Sequence, residues 1–306
     1  MIRRVNALGP LAALALAAGL APALRAQTNP ATPAQPTTAP GKTLGRVDSA
    51  DIPKEEKKTP PKLDKTNFTP SGEQVAELVL YSTGISRNVL KQVRHNGVER
   101  GQMTRATADG RTEEVTYERR FVYGETADKD KYRLDQKTAQ SEFALVYNAG
   151  QVWGVINGTA FAPRQEASSE FISQARHSVD ALIRYKENGA TVTYVTKDKQ
   201  KGLDLWIVDL TDKEQNKTRY YVSARTGNVL WLEYEETPPG AAAPVKYRRT
   251  FHDYRRAQGV NVPHRTVLYQ DDRQKEETRI LTITFGVRMD DSYFQNPQTA
   301  VNGNQF

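Results

Sequence analysis

The residue types that carry most protein chemistry are sparse in this chain and poorly spaced for it. Cysteine is absent, which removes thiolate metal sites, a cysteine nucleophile, disulfides and an acylated N-terminal cysteine together. The four histidines, His95, His177, His252 and His264, show neither the i, i+4 spacing nor the His-x-Glu pairing of a metal or hydrolase site. Read singly, His95 ends a helical stretch, His177 stands one turn before Asp180, and His252 alternates onto the wet face of a strand. Each reads as a surface or cap residue. No Gly-x-Ser-x-Gly elbow, phosphate loop or dinucleotide fingerprint occurs. The carboxylate pairs Asp271-Asp272 and Asp290-Asp291 sit beside turn residues at strand ends, where a solvated turn is the default and a weak calcium contact the alternative. The expectation is a non-enzymatic protein without a cofactor or metal.

The aromatic residues point elsewhere. All three tryptophans, Trp153, Trp206 and Trp231, fall in strand-like segments, with Phe143, Tyr147, Tyr194, Tyr220, Tyr221 and Phe285. A curved sheet studded with large flat side chains either closes into a solid core or leaves an apolar cavity. For the cavity reading, the candidate ligand-binding residues are Phe143, Tyr147, Trp153, Trp206, Trp231 and Phe285. Plain core is the competing reading, because such residues are ordinarily buried.

The elements that must position them are mostly strands. In the last third, Val245, Tyr247, Arg249 and Phe251 alternate with Lys246, Arg248, Thr250 and His252. Leu281, Ile283, Phe285, Val287 and Met289 then alternate with Thr282, Thr284 and Arg288, the period of a sheet with one dry face. Earlier strands are expected over 102–107, 112–123, 131–137, 142–148 and 151–156, with Asn148-Ala149-Gly150 and Asn157-Gly158 as turns. A second series covers 191–195, 203–210, 218–223, 228–235, 246–255, 262–270 and 278–289. Residues 203–208 and 229–232 are apolar on both faces, so those two strands should be central.

Three helices are expected. Ser71 with Gln74 makes a capping box for a helix that Gly84 stops. A short second helix covers 87–95, and a long one covers 164–187, carrying Phe171, Ile172, Ala175, Val179, Leu182 and Ile183 on one stripe. The long helix is the natural cover for the dry face of the sheet.

The N-terminus reads as an address. Arg3 and Arg4 precede an apolar run over 7–24 and the sequence Arg25-Ala26-Gln27, the three parts of a secretory signal peptide, here 1–26. Pro10 and Pro22 interrupt the run, against a retained anchor. Residues 27–66 are Pro, Thr and Ala, then charge and Pro, with too little apolar surface to offset the entropy of ordering. They read as a disordered linker, followed by a single domain over 67–306. Losing Arg3, Arg4 and Arg25 with the leader takes the formal charge from +7 to +4. Spread over mixed signs, that is a solvated surface rather than a nucleic-acid footprint.

Three stretches carry a family resemblance. Tyr220-Tyr221-Val222-Ser223-Ala224-Arg225-Thr226-Gly227-Asn228-Val229-Leu230 is a strand, a Thr-Gly turn and a strand. Phe251 to Arg265 is a strand ending in a Gly-Val-x-Val-Pro hairpin, Gly259-Val260-Asn261-Val262-Pro263. Asp290-Asp291-Ser292-Tyr293-Phe294-Gln295-Asn296-Pro297 closes the series. In that order they resemble the outer-membrane lipoprotein-sorting superfamily, the LolA- and LolB-like periplasmic proteins. The resemblance covers roughly residues 205–297 and departs from the acylated receptors in lacking cysteine. It implies an α+β fold, an antiparallel half-barrel sheet with helices covering the concave face, and a periplasmic location. The ligand it implies is a lipid, a lipoprotein acyl chain or another hydrophobic molecule, with transient contact at a membrane surface. An envelope protein docked through a sheet edge or the linker is the alternative partner.

Overall fold

The computed structural model describes residues 68–84, 94–107 and 110–298. The leader, the linker and all but the last two residues of the helix expected over 87–95 lie outside the described residues. Arg94 and His95 form a bend.

The described chain is a single antiparallel sheet with three helices on one side. Its strands are β1 (Asn96–Ala106), β2 (Thr112–Val122), β3 (Lys131–Lys137), β4 (Glu142–Asn148), β5 (Gln151–Ile156), β6 (Thr159–Phe161), β7 (Thr191–Gln200), β8 (Leu203–Thr211), β9 (Lys217–Ser223), β10 (Val229–Glu236), β11 (Val245–Ala257), β12 (Val260–Gln270) and β13 (Arg273–Phe285). The order across the sheet is β6-β5-β4-β3-β2-β1-β13-β12-β11-β10-β9-β8-β7. Two meanders therefore meet at a single seam, β1 against β13. The architecture is α+β, an open antiparallel half-barrel.

Hairpin chemistry sets the register. Ala149-Gly150, Asn157-Gly158, Lys201-Gly202, Gln258-Gly259 and Asp271-Asp272 all have positive φ at both positions, the two-residue turn that matches strand twist. The Asp271-Asp272 pair fills such a turn because aspartate tolerates the left-handed region better than most residues. Asp290 caps the 3₁₀ turn Asp291–Phe294 by accepting from the Ser292 backbone N–H. Both carboxylate pairs are thus turn residues.

Several expected boundaries move, each for a visible reason. β1 begins at Asn96 rather than 102 because two of its inward positions are glycine and carry no apolar signal. The glycines are complemented across the ladder: Gly97 faces Phe121 and Gly101 faces Tyr117, and an added Cβ would lie 2.7 Å from the Phe121 ring or the Tyr117 hydroxyl. The missing bulk is supplied by the partner strand. β13 spans Arg273–Phe285, not 278–289, and a bulge opposite Arg100/Gly101 leaves Leu281 without a partner. That extra residue flips the phase, so Leu281 is exposed while Ile280, Ile283 and Phe285 point into the core. β7 runs on to Gln200 through a polar tail that an edge strand with one neighbour tolerates. β8 and β10 are interior strands but lie second and fourth from one edge, while β13 is at the centre. Their two-sided apolarity has a local cause. Trp206, Val208 and Leu210 of β8 join the core under the helices, whereas Leu205 and Ile207 pack outside with Tyr221 and Trp231.

Helix α1 (Gly72–Ser82) has the expected capping box, with Ser71 and Gln74 each bonding the other's backbone. Its buried stripe is Val75, Ala76, Val79 and Leu80. The helix expected over 164–187 is instead two, α2 (Gln165–Arg176) and α3 (Val179–Ile183). His177 leaves helical geometry at φ −100° and ψ 69°, and Ser178 recaps the chain by accepting from the Ala181 backbone N–H. The periodicity continued through the break because both helices bury the same side.

Since β6 and β7 are opposite edges of the sheet, the segment between them has to cross it, and that segment carries α2 and α3. Phe171 of α2 packs with Met103, Val115, Tyr117, Leu134 and Leu145. Leu182 and Ile183 of α3 join α1 over β8–β12. A buried ion pair fixes the crossing. Arg184 donates to both Asp130 oxygens, at 2.7 and 3.0 Å, and to the Gly124 carbonyl at 3.1 Å. Asp130 also accepts from the Gly124 N–H and the Tyr132 hydroxyl, and Arg184 lies over the Tyr123 ring. Both partners are buried, with side-chain exposures of 7% and 2%. Replacing Arg184 with Met strands a desolvated carboxylate and is expected to cost about 3–5 kcal/mol in urea unfolding. Pairing it with Asp130→Leu should return a large part of that loss. Additive losses would show that the two side chains act separately.

Candidate functional site

Arginine and glutamate occupy slots in the dry face of the sheet. Arg119 stands between the inward Tyr117 and Phe121 on β2, Glu99 between Gly97 and Gly101 on β1, and Arg249 between Tyr247 and Phe251 on β11. A cavity of about 180 Å³ lies over these positions, between the sheet, the α2–α3 junction and the end of α1. Apolar walls come from Met103, Leu134, Phe171, Ile280, Ile283 and Phe285, and charged ones from Arg94, Glu99, Arg119, Asp180, Arg249 and Glu276. A second cavity of about 260 Å³ shares Tyr132, Phe171, Ala175, Ser178 and Asp180 with it and continues toward Tyr147, Leu210 and Lys213.

The charged groups differ in how well they are satisfied. Arg249 donates to the carbonyls of Gln174 and His177 at 3.4 and 3.2 Å, which closes the open end of α2 with a positive charge. Glu99 accepts from the Tyr117 hydroxyl at 2.7 Å. Burial, and after it the Glu99 charge, raises the Tyr117 phenol well above its ordinary range, so it stays a donor. Glu276 is raised by burial and accepts from Thr278. Arg94 Nη2 lies 2.7 Å from Asp180 Oδ1, an ion pair by distance whose angle makes no hydrogen bond, since Oδ1 is shielded and lacks a donor. The Nε atoms of Arg94 and Arg119 are likewise shielded and unbonded.

His177 is a buried clasp. It is 1% exposed, with Nε2 3.0 Å from Glu236 Oε1 and Nδ1 2.7 Å from Thr218 Oγ1. A carboxylate only accepts, so Nε2 carries the proton and Nδ1 accepts from the threonine. The ring stacks on Tyr234 at 3.7 Å, and Ser173 donates to the other Glu236 oxygen at 2.6 Å. The serine thus points at the carboxylate and not at the imidazole, a docking arrangement rather than a nucleophile with its base.

The six aromatics expected at a ligand site do not converge. Phe285 lines the first cavity and Tyr147 the second. Phe143 and Trp206 are on the helix-covered side, packed in the two apolar clusters there. Trp153 faces the other way, against Val146, Ala160 and Phe294, and Trp231 stacks on Tyr221 at 4.4 Å on that same outer side. Sequence reading missed Arg119, Glu99, Arg249 and the His177 clasp. A signal existed for two of them: Arg249 and Arg119 fall in phase with the apolar residues of their strands, where a surface charge does not belong.

An open antiparallel half-barrel with helices in its concavity and a cavity beneath them defines a class of fold. No family model matches the chain, and none of the curated proteins matches it in sequence. Solved structures do. An outer-membrane lipoprotein-sorting protein domain from Vibrio parahaemolyticus aligns with a TM-score of 0.52 at 12% identity, over 73% of this chain and 96% of that one. A LolA superfamily protein from Nitrosomonas europaea aligns with a TM-score of 0.51 at 9% identity, over 74% and 98%. The chain shares its fold with these two structures.

Burial holds the His177 ring below its ordinary value of 6.5, outweighing the Glu236 carboxylate that favours the charged form. A depressed histidine stabilises the fold fully above 6.5, and this contribution falls as pH drops through 6.5 toward the folded value, because only the unfolded chain takes up the proton. Urea midpoints should therefore decline between pH 7.5 and 5.5, and His177→Gln should flatten that decline. An unchanged slope in the variant would assign the effect to other groups, His252 among them.

Proposed function

We propose that this chain is an exported, non-enzymatic protein that binds or carries a hydrophobic ligand of the acyl-chain type within the cell envelope. The observation that carries the reading is the cavity under α2 and α3, placed where the two apolar clusters of the concave face meet. A carrier crosses water only with its chain buried, at about 0.8 kcal/mol per CH₂, and a half-barrel whose helical cover is a separate layer can admit one. The lipoprotein-sorting neighbours share the fold, and their ligand class comes to this chain as part of the proposal. Within it, Tyr147 and Phe285 are cavity walls, with Phe143 and Trp206 extending the same side. The leader, the linker and the single domain over 67–306 belong to the proposal too. Among the described residues no helix is long and apolar enough to cross a membrane.

The second reading, docking of an envelope protein at a sheet edge, has less behind it. β6 is three residues long, and β7 carries a bulge at Val195 followed by Lys197, Asp198 and Lys199. Short, bulged and charged edges disfavour strand addition.

A neutral apolar fluorophore, N-phenyl-1-naphthylamine, should bind the folded chain saturably at about one per molecule and be displaced by medium-chain amphiphiles. Ile280→Trp, filling the first cavity, should weaken binding at least tenfold. Trp231→Phe, on the outer side, should change it less than twofold. Fluorophore uptake only on unfolding would mean a solid core and end the carrier reading.

A further inference from the structure

We infer that the first cavity recognises the head of its ligand as well as the chain, and that the head is a single anionic group held by Arg119. The inference rests on the carrier reading above and adds the chemistry of the polar end.

Arg119 stands in the apolar phase of β2, with its Cζ 5.2 Å from the centroid of the Phe121 ring and its Nε shielded from solvent without a hydrogen-bond partner. Among the described residues its guanidinium makes no hydrogen bond and no ion pair. Its nearest acid by register is Glu99, directly across the β1–β2 ladder, but that carboxylate accepts from the Tyr117 hydroxyl. The remaining charges are engaged as well. Arg249 closes the end of α2, and Asp180 lies against Arg94. Glu276 takes the Thr278 hydroxyl.

A buried arginine whose guanidinium makes no hydrogen bond among the described residues is costly, because burying a charge is tolerated only with a partner, and Glu99 acts on Arg119 through its charge alone. The fold nevertheless places one at the centre of its dry face. The guanidinium is a planar fork that fits the two oxygens of a carboxylate or phosphate. Arg94 stands at the rim of the same cavity over the Phe285 ring, at 5.7 Å, with its own Nε unbonded. Arg119 shares the cavity with the apolar side chains of Met103, Phe121, Leu134 and Phe285, so an anion bound there has apolar walls for its tail. The ligand class is an amphiphile with one anionic head and an apolar chain, in which a fatty acid and an alkyl phosphate share the recognised chemistry.

The test uses the full chain with N-phenyl-1-naphthylamine bound, displaced in turn by decanoate, decyl phosphate and decanol. The expected result is that at least one of the two anions displaces the fluorophore at a concentration tenfold or more below decanol. Decanoate alone doing so assigns a carboxylate head, and decyl phosphate alone a phosphate. Arg119→Met should bring the anion-to-alcohol ratio within about twofold of one, while Arg119→Lys, which keeps the charge but not the fork, should fall between. Equal displacement by anions and alcohol in the unsubstituted chain would overturn the inference without any variant having to fold. Failure of the neutral fluorophore to bind at all would instead overturn the carrier reading on which it rests.

Discussion

The structure depends on one topological constraint: the chain leaves the sheet at one edge, β6, and re-enters at the other, β7. Neighbouring strands otherwise follow one another in sequence, so this crossing and the β1–β13 seam are the long-range steps within the described sheet. A connection that spans an open sheet has to lie on one of its faces, and an amphipathic one lies on the dry face. Cover for the concave side is therefore not an added element. It is the price of joining two meanders end to end, and the groups that pin it are polar: Arg184 on Asp130, Arg249 on the last carbonyls of α2, and His177 between Thr218 and Glu236.

Polar anchoring has a consequence for the cavity. Two apolar surfaces that met directly would close into one core at native density. Here the helices are held at fixed points by hydrogen bonds, and the inward slots between the apolar clusters are given to Glu99, Arg119, Arg249 and Glu276. Charged side chains with few partners do not fill space as aliphatic ones do. The gap that remains is the cavity, bounded on one side by the Phe171 cluster and on the other by the α1 and α3 cluster.

One end of that cavity is built from hairpin tips. Gly227 of the Thr-Gly turn has φ +73°, and a Cβ there would lie 2.8 Å from the Leu78 carbonyl and 2.9 Å from Ser82. Ser82 donates to the Gly227 carbonyl, Asn261 donates to the Thr83 carbonyl from its backbone, and its side chain reaches Asn228. Two turns of the β9–β10 and β11–β12 hairpins, read apart along the chain, together grip the C-terminus of α1. The fold resemblance carried by these turns thus has a physical basis, since they are the receptors for the helix that closes the sheet.

Local rules sufficed for much of this protein. Alternation with period two located most strands, paired turn residues such as Asn157-Gly158 located the hairpins, and Ser71 with Gln74 located the start of α1, because each of these signals lies within a few residues of its effect. The α+β half-barrel was legible from those elements and from the turns of the second half. What needed the tertiary structure was whatever depends on a partner far along the chain. The first half of β1 was hidden because its inward glycines are filled by Phe121 and Tyr117 of the next strand. The phase of β13 changed at a bulge created opposite Gly101. The break between α2 and α3 belongs to His177, whose partners are about forty and sixty residues away on β9 and β10. The aromatic residues showed that a large apolar surface exists, but alternation alone does not say which of two faces is covered, so Trp153 and Trp231 looked equivalent to Phe285. Arg119 and Arg249 were visible as charges in an apolar phase. Only folding revealed that one closes a helix end and the other is left facing the cavity.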